Sequence, residues 1–421
     1  MFILITLVFV IGYSIIAFEQ KIKINKSAIA LFTGVLSWTI YSLLSSDISH
    51  VNKQLTDNLG AISGVLFFLL GAMTIVELID SHDGFEILTS RITQTDKRKL
   101  LWIVTFITFF LSAILDNLTT TIVVVSLLRK LINNEKDRLL FTGMIVIAAN
   151  SGGVWSPIGD VTTTMLWIGG QITTWNIILR LFLPGLACIL VPLTIMSMKL
   201  DGSVSKPNAS KSRNSSGLSI RHQKIVFFSG ILILILVPVF KSVTHLPPYM
   251  GILLGLAILW IITEVIHVKK EEPVRNSFSV VQALRKIDTA SILFFLGILI
   301  TIGALESSGI LIQFANWLTK SVPNISIVVI LLGLLSSIVD NVPLVAATQG
   351  MYDLAQYPPD NYLWEFLAYC VGTGGSILII GSAAGVAAMG MEKISFLWYL
   401  KRFSLLALAG YLAGAMVYIL I

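Results

Sequence analysis

Charge is scarce in this sequence. Only 12% of its 421 residues are charged, against 55% hydrophobic, and the mean hydropathy is +0.87. An average soluble domain carries about 25% charged residues, so that class is excluded. No long polar block interrupts the apolar runs, which leaves no place for a soluble catalytic domain or a nucleic-acid-binding module. Cysteine is nearly missing as well. Cys188 and Cys370 both lie in apolar runs; they give no disulfide framework and no metal-ligand spacing, and read as small buried hydrophobes. A basic leader is lacking: Phe2 to Phe18 is apolar, with Lys21, Lys23 and Lys26 after it, so it reads as a retained first span and not a cleaved signal. Finally, no Lys or Arg lies deep in any apolar run, so carboxylates there have no evident salt-bridge partner.

What is present is a set of runs near the roughly 20 residues that cross a bilayer. Spans are expected at 2–18, 27–45, 59–80, 139–169, 176–199, 224–241, 249–267, 289–307, 363–390 and 396–420. Two further runs, 99–132 and 324–352, each hold an Asp-Asn pair in the middle, and each reads either as two crossings or as one re-entrant hairpin. With hairpins, only Lys53, Arg180, Lys241 and Lys320 of the 29 basic residues fall on one face. The other face, which includes 19–26, 91–99, 129–138, 199–224 and 267–288, is then cytoplasmic by the positive-inside rule, with both termini outside. Five crossings per half would invert the second half. The expected fold is an all-α polytopic membrane protein of two inverted-topology repeats, each about five transmembrane helices plus one re-entrant helical hairpin and one unwound helix. Residues 1–200 form the first repeat (hairpin 99–132, unwound helix 139–169). A polar cytoplasmic linker, 201–223, joins it to the second, 224–421 (hairpin 324–352, unwound helix 363–390).

Motif spacing supports the duplication. Asp116-Asn117 recurs 224 residues later as Asp340-Asn341, and Gly152-Gly153 with Gly159 recurs 222 residues later as Gly374-Gly375 with Gly381. Inverted repeats with broken helices are a transporter signature, and a carboxylate at membrane depth is a functional candidate by default. Water-poor surroundings favour the protonated acid, and a bound cation competes with that proton; this competition is the physical basis of cation/proton exchange. Thr119, Thr120 and Thr121 follow Asp116-Asn117, while Asn150, Ser151, Ser156, Thr162, Thr163 and Thr164 surround Asp160. Such carboxylate, amide and hydroxyl oxygens suit a hard cation. The second half is poorer: Val342 and Pro343 follow Asp340-Asn341, and Ser382 stands where the first half has Asp160. Asp116 and Asp160 are therefore weighted for cation contact, and Asp340 is a candidate proton carrier. Bland readings stand beside these. Either Asp-Asn pair or Asp160 could simply cap a helix, the glycine pairs could serve packing, and Glu77, Asp80 and Glu306, at span ends, could be solvated. His82 reads as a plain loop histidine, with pH sensing as the sharper alternative.

The strings GAMTIVELIDSHDGFEIL, LDNLTTTIVVVSLLRKLI, NSGGVWSPIGDVTTTMLWIGGQI and IVDNVPLVAATQGMY resemble the NhaD-type sodium/proton antiporters of the ion transporter superfamily, over about residues 60–390. The resemblance implies a scaffold part, a transport part with two hairpins, and commonly a homodimer. It also implies Na⁺ (often Li⁺) efflux driven by proton entry. Functional positions carried over fall on Glu77, Asp116, Asn117, Thr119, Asn150, Asp160, Thr162, Asp340, Asn341, Thr373 and Ser376. The family's dicarboxylate relatives carry Ser-Asn-Thr at the hairpin tips; the Asp-Asn here argues for a cation.

The resulting expectation is a secondary Na⁺(Li⁺)/H⁺ antiporter with elevator-like alternating access, not an enzyme and without cofactor. It would serve pH homeostasis in a bacterial inner membrane. Na⁺ would sit at Asp116, Asn117, Asn150 and Asp160, with Thr119, Ser151, Thr162, Asp340, Asn341, Thr373 and Ser376 around the ion or proton and Glu77, Asp80 and Glu306 as a candidate proton relay. The alternatives are a carrier of arsenite or of a carboxylate, disfavoured because no Cys lies at a hairpin tip and no Arg in an unwound segment, and an intramembrane aspartyl protease, which the two-fold repetition opposes.

Overall fold

The computed structural model describes residues 2–17, 24–89, 92, 94–205, 219–268, 270–322, 324–338 and 340–421. Most of the expected linker, 201–223, lies outside these residues. The described chain is nearly all helix, without strands; one bridging pair, Asp96 and Ser203, ties the start of the first Asp-Asn segment to the chain after residue 200. Among the described residues, eight helices are long and apolar enough to cross a membrane.

The longer elements are α1 (Phe2–Ala17), α2 (Lys26–Leu44), α3 (Ile48–Ser81), α4 (Lys97–Leu115), α5 (Asn117–Leu131), α6 (Glu135–Gly153), α7 (Val161–Ile168), α8 (Thr174–Lys199), α9 (Ile220–Thr244) and α10 (Pro248–His267). They continue with α11 (Thr289–Ser307), α12 (Ile310–Ser321), α13 (Ile325–Leu335), α14 (Asn341–Met351), α15 (Tyr362–Gly374), α16 (Ala383–Glu392) and α17 (Phe396–Leu420), the last with a π-helical turn at Leu400–Ser404. Short polar residues start most of them: Asn25, Asp47, Asp96, Asn134, Asp288, Asn324 and Asn361 each accept a backbone N–H of the first turn. An N-cap satisfies one of the donors that a helix start leaves unpaired, an acute need where no water reaches.

Both Asp-Asn runs break at the acid. The first becomes α4 and α5 around Asp116, and the second becomes α13 and α14 before and after Asp340. The arms α13 and α14, 11 residues each, reach only about 17 Å, short of the roughly 30 Å hydrocarbon core. The runs expected to unwind do so, as α6 and α7 around residues 154–160 and α15 and α16 around 375–382. Two expectations fall short. The span at 59–80 is the inner part of α3, a helix of 34 residues, and α12 lies where no element was expected.

Packing sorts the helices into two groups. α1, α2, α3, α9, α10 and α11 pack on one another, with α2 set closely against α11. The other group holds α4–α8 and α13–α17. They meet chiefly where α14 lies on α11 and α7 on α3. Leu232, Leu236, Leu254, Ile261 and Val265 on α9 and α10 stay exposed, as lipid-facing side chains would. Cys188 and Cys370 are free, buried thiols.

Candidate functional site

The second group of helices crosses where four chain breaks meet, and glycine makes the approach possible. A Cβ on Gly152 would stand 2.2 Å from the Phe109 carbonyl oxygen, and one on Gly374 would stand 1.9 Å from that of Gly333. Two serines then lock each broken helix to its hairpin: Ser112 Oγ donates to the Ala149 carbonyl at 2.5 Å, and Ser336 Oγ to the Val371 carbonyl at 2.8 Å. These pairs obey the same 224- and 222-residue offsets as the motifs.

Asp160 is the centre of the polar contacts. It is 1% exposed and caps α7, with Oδ1 accepting from Thr162 N–H and Thr162 Oγ1, both at 2.9 Å. Its Oδ2 accepts from Asn117 Nδ2 at 2.6 Å, and Asn341 Nδ2 lies 3.4 Å away. Asn117 Nδ2 also donates to Asn150 Oδ1 at 3.0 Å. The Asn150 amide nitrogen then reaches across to the second half, donating to Ser376 Oγ and Ser382 Oγ, both at 2.9 Å. One network thus joins both hairpin tips and both unwound segments. The carboxylates of Asp116 and Asp340 lie within electrostatic range of Asp160.

Asp116 sits at φ 77°, ψ 162°, where a side chain normally meets steric cost of order 1–3 kcal/mol. It is held there by two bonds from Thr119, the backbone N–H to Oδ1 and Oγ1 to Oδ2, each 2.8 Å. Among the described residues, neither Asp116 nor Asp160 has an ion pair. A buried, unpaired carboxylate is expensive unless it takes up a proton or a cation.

Other expected residues have other commitments. Ser151 Oγ donates to the Gly185 carbonyl at 2.7 Å and Thr373 Oγ1 to the Tyr369 carbonyl at 2.6 Å, so both brace the broken helices. Thr163 and Thr164 hydroxyls bond the Asp160 and Pro157 carbonyls. Thr120 and Thr121 hydroxyls, by contrast, are buried with no hydrogen-bond partner among the described residues. Glu77 pairs with Lys286 at 3.2 Å, and Asp80 lies one turn further along α3. Glu306 lines a cavity of 170 Å³ with Asn58, Gly169, Gly303 and Gln349, between the two helix groups. The three members of the expected relay are thus spread over two places and not strung together.

Several contributors were not foreseen. The absence of basic partners fails at Glu77 and at Asp340, whose Oδ2 is 4.0 Å from Lys26 Nζ; both lysines start or flank helices and swing in. Ser112 and Ser336 carried a signal, the repeat offset itself. Buried Glu392, ending α16, takes Arg129 Nε at 2.6 Å and Arg138 Nε at 3.1 Å, tying the second half to the first hairpin. His82 is no plain loop residue: it is fully buried, with Nδ1 2.7 Å from the Leu78 carbonyl and Nε2 3.0 Å from His267 Nε2. Burial pushes its protonation below the usual histidine range.

Comparisons with known proteins give the family. A family profile described as "Citrate transporter" matches residues 3–372. The chain is 50% identical to Sodium/proton antiporter 1 of Arabidopsis thaliana, over 98% of this chain and 71% of that protein. It is 47% identical to Sodium/proton antiporter 2 of the same plant, over 98% of each. It is 31% identical to the Na(+)/H(+) antiporter NhaD of Vibrio cholerae, over 99% of this chain and 91% of that protein. Its fold is similar to the crystal structure of the YdaH transporter of Alcanivorax borkumensis, with a TM-score of 0.60 at 12% identity, covering 94% of this chain and 98% of that one. Full-length matches at these identities, with the crossing of broken helices that such a carrier needs, decide the point: this multi-pass membrane protein belongs to the NhaD-type sodium/proton antiporter family.

Proposed function

We propose that the protein exchanges cytoplasmic Na⁺ or Li⁺ for external H⁺, with the ion held at Asp116, Asn117, Asn150 and Asp160. One observation carries the reading: Asp160, fully buried, gathers Thr162, Asn117 and Asn341 around a carboxylate with no basic partner among the described residues. In such a place the acid must bind either a proton or a cation, and it can hold only one at a time. That exclusion is antiport. The amide hydrogens of Asn117 and Asn341 now point at Asp160; rotation of either amide would present its oxygen to the same space, turning a bond to the carboxylate into a ligand for the ion. Asp116, braced by Thr119, supplies the second negative charge. Asp340 is the further carrier we assign to the proton side, with Ser376 and Thr373 supporting the second unwound segment.

The two halves are, in this proposal, inverted repeats, 1–200 and 224–421, with both termini outside. The short arms α13 and α14 support re-entry of the second hairpin. The crossing would move as a unit against α1, α2, α3, α9, α10 and α11, an elevator-like exchange of access. Polar Glu306, in the cavity between the two groups, lies where water and protons could enter. We also assign the protein to a bacterial inner membrane and to a homodimer; the similarity to two plant antiporters makes an organellar membrane the competing location.

The test is Na⁺- and Li⁺-driven proton flux in proteoliposomes under an imposed pH gradient. Asp160→Asn should abolish it, and unchanged flux would sink the assignment. The description of the matching family profile favours one second reading, transport of a carboxylate such as citrate. It predicts citrate uptake that ignores Asp160→Asn. The acidic crossing, with no Arg or Lys paired to Asp116 or Asp160 among the described residues, opposes it.

A further inference from the structure

The acids at the two hairpin tips are treated differently by their surroundings. Asp116 receives its hydrogen bonds from Thr119 and forms no ion pair among the described residues. Asp340 accepts from the Val342 N–H at 3.3 Å and faces the Lys26 ammonium at 4.0 Å. That ammonium also rests 4.5 Å from the centroid of the Phe294 ring, which is itself buried. The mount is rigid. Lys26 opens α2, and Ser27 Oγ donates to the Ala290 carbonyl of α11 at 2.6 Å. Farther along, Gly34 and Gly297 bring the two backbones together; a Cβ on Gly297 would meet Leu31 N at 2.4 Å. From α1, the Tyr13 hydroxyl is buried without a hydrogen-bond partner among the described residues and lies within electrostatic range of Asp340. α2 and α11, outside the crossing, therefore meet the second hairpin, and Lys26 brings a positive charge to its tip.

We propose that Lys26 is the built-in cation of the second half. Its ammonium takes at Asp340 the place that a transported cation takes at Asp116, and by holding Asp340 it positions the neighbouring Asn341 against Asp160. A lysine ammonium is a compact monovalent cation on a flexible stem, the chemical stand-in for Na⁺ that a duplicated site with one transported ion would need. Lys26 is thus a positioning residue. It leaves Asp116 and Asp160 as the carboxylates open to Na⁺, and Asp340 takes up the exchanged proton only when the Lys26 contact opens. The pairing stands on geometry alone; its consequence for transport rests on the antiport reading above.

The experiment compares the full-length wild type with Lys26→Met, Lys26→Arg, Asp340→Asn and the double variant Lys26→Met/Asp340→Asn. Thermal unfolding in detergent is followed in choline chloride and in NaCl at equal ionic strength, and Na⁺-driven proton flux is measured in proteoliposomes. Lys26→Met should lower the unfolding temperature, and the double variant should recover part of the loss, since it no longer leaves the Asp340 charge without the Lys26 ammonium. NaCl should stabilise Lys26→Met more than the double variant, because a free ion can then take the vacated place. In flux, Lys26→Met should raise the apparent KM for Na⁺ several-fold more than it lowers the maximal rate, and Lys26→Arg should stay near wild type. Additive losses in the unfolding cycle, or equal NaCl stabilisation of the two variants, would overturn the proposal. If the wild type showed no Na⁺-driven flux, the antiport reading would fail, while the unfolding cycle would still decide the pairing.

Discussion

The two halves of the crossing share a backbone and differ in chemistry. Ser112 and Ser336 tie their hairpins to Ala149 and Val371 in the same way, and Gly152 and Gly374 allow the same close approach. Yet Asn150 is matched by Gly372, Asp160 by Ser382, Thr162 by Ala384 and Thr119 by Pro343, at the offsets of the motifs. The backbone of Asp116 is in the positive-φ region, while that of Asp340 is at φ −50°. What the two halves have in common is therefore the part that solves the physical problem both face, satisfying broken backbone at membrane depth. The ion chemistry was free to concentrate in one half, because the pieces converge on a single place. Gly372 shows how: a Cβ there would stand 2.4 Å from Val154, so the second half yields space to the first half's unwound segment.

The largest expected effect tests this directly. Asp160→Asn should remove Na⁺-driven proton flux altogether, whereas Ser382→Ala, at the matching position, should lose only the Asn150 contact and the cap to Gly385. A lost neutral hydrogen bond is worth about 1 kcal/mol, roughly a tenfold change at most in the apparent affinity for Na⁺. Comparable losses in the two variants would break the asymmetry. The backbone half of the comparison has its own test. Gly152→Ala and Gly374→Ala should destabilise by similar amounts, at the upper end of the roughly 1–3 kcal/mol for overpacking because each added carbon meets backbone. Thermal unfolding in detergent measures both; a tolerated alanine on one side only would show that the two crossings are not equivalent.

Much of this was legible because membrane depth makes polar residues and glycine conspicuous. The Asp-Asn pairs and the Asn150–Asp160 segment stood out against hydrocarbon composition, and the structure brings Asn117, Asn150, Asp160, Asn341 and Ser376 into one network. Helix ends were less legible. The first turns of α3 hold Asn52, Lys53, Asp57 and Asn58, so a hydropathy reading stops where the helix does not. α12 is too short and too polar on one side to register as a span. Long-range charge pairs were invisible: Lys26 meets Asp340, and Glu392 meets Arg129, only through the packing of helices hundreds of residues apart. Ser151 and Thr373 are ambiguous for a simpler reason. In a buried broken helix a hydroxyl is as useful for bracing a carbonyl as for holding an ion, and its sequence context does not distinguish the two.

The smallest effects separate the two ends of the crossing. Where the second half touches the first hairpin, the tie is ionic, with buried Glu392 between Arg129 and Arg138. Where the first half touches the second hairpin itself, the tie is an amide pair: the side-chain amides of Gln171 and Gln349 meet at 2.9 Å; past the hairpin, Asp360 accepts from Thr173 N–H and Oγ1. Removing one partner of a well-buried ion pair typically costs 3–5 kcal/mol. Arg129 is half exposed and Arg138 partly so, so water can take over much of their solvation, and Glu392→Gln should cost about 2 kcal/mol. Gln349→Ala should cost about 1 kcal/mol. Salt sharpens the contrast, since it screens the ionic tie more than the amide one. Unfolding in 50 mM and 500 mM choline chloride should narrow the gap between wild type and Glu392→Gln and leave Gln349→Ala unchanged relative to wild type. A gap that ignores salt would mean that Glu392 acts through packing, and the two ends would then differ in composition but not in kind.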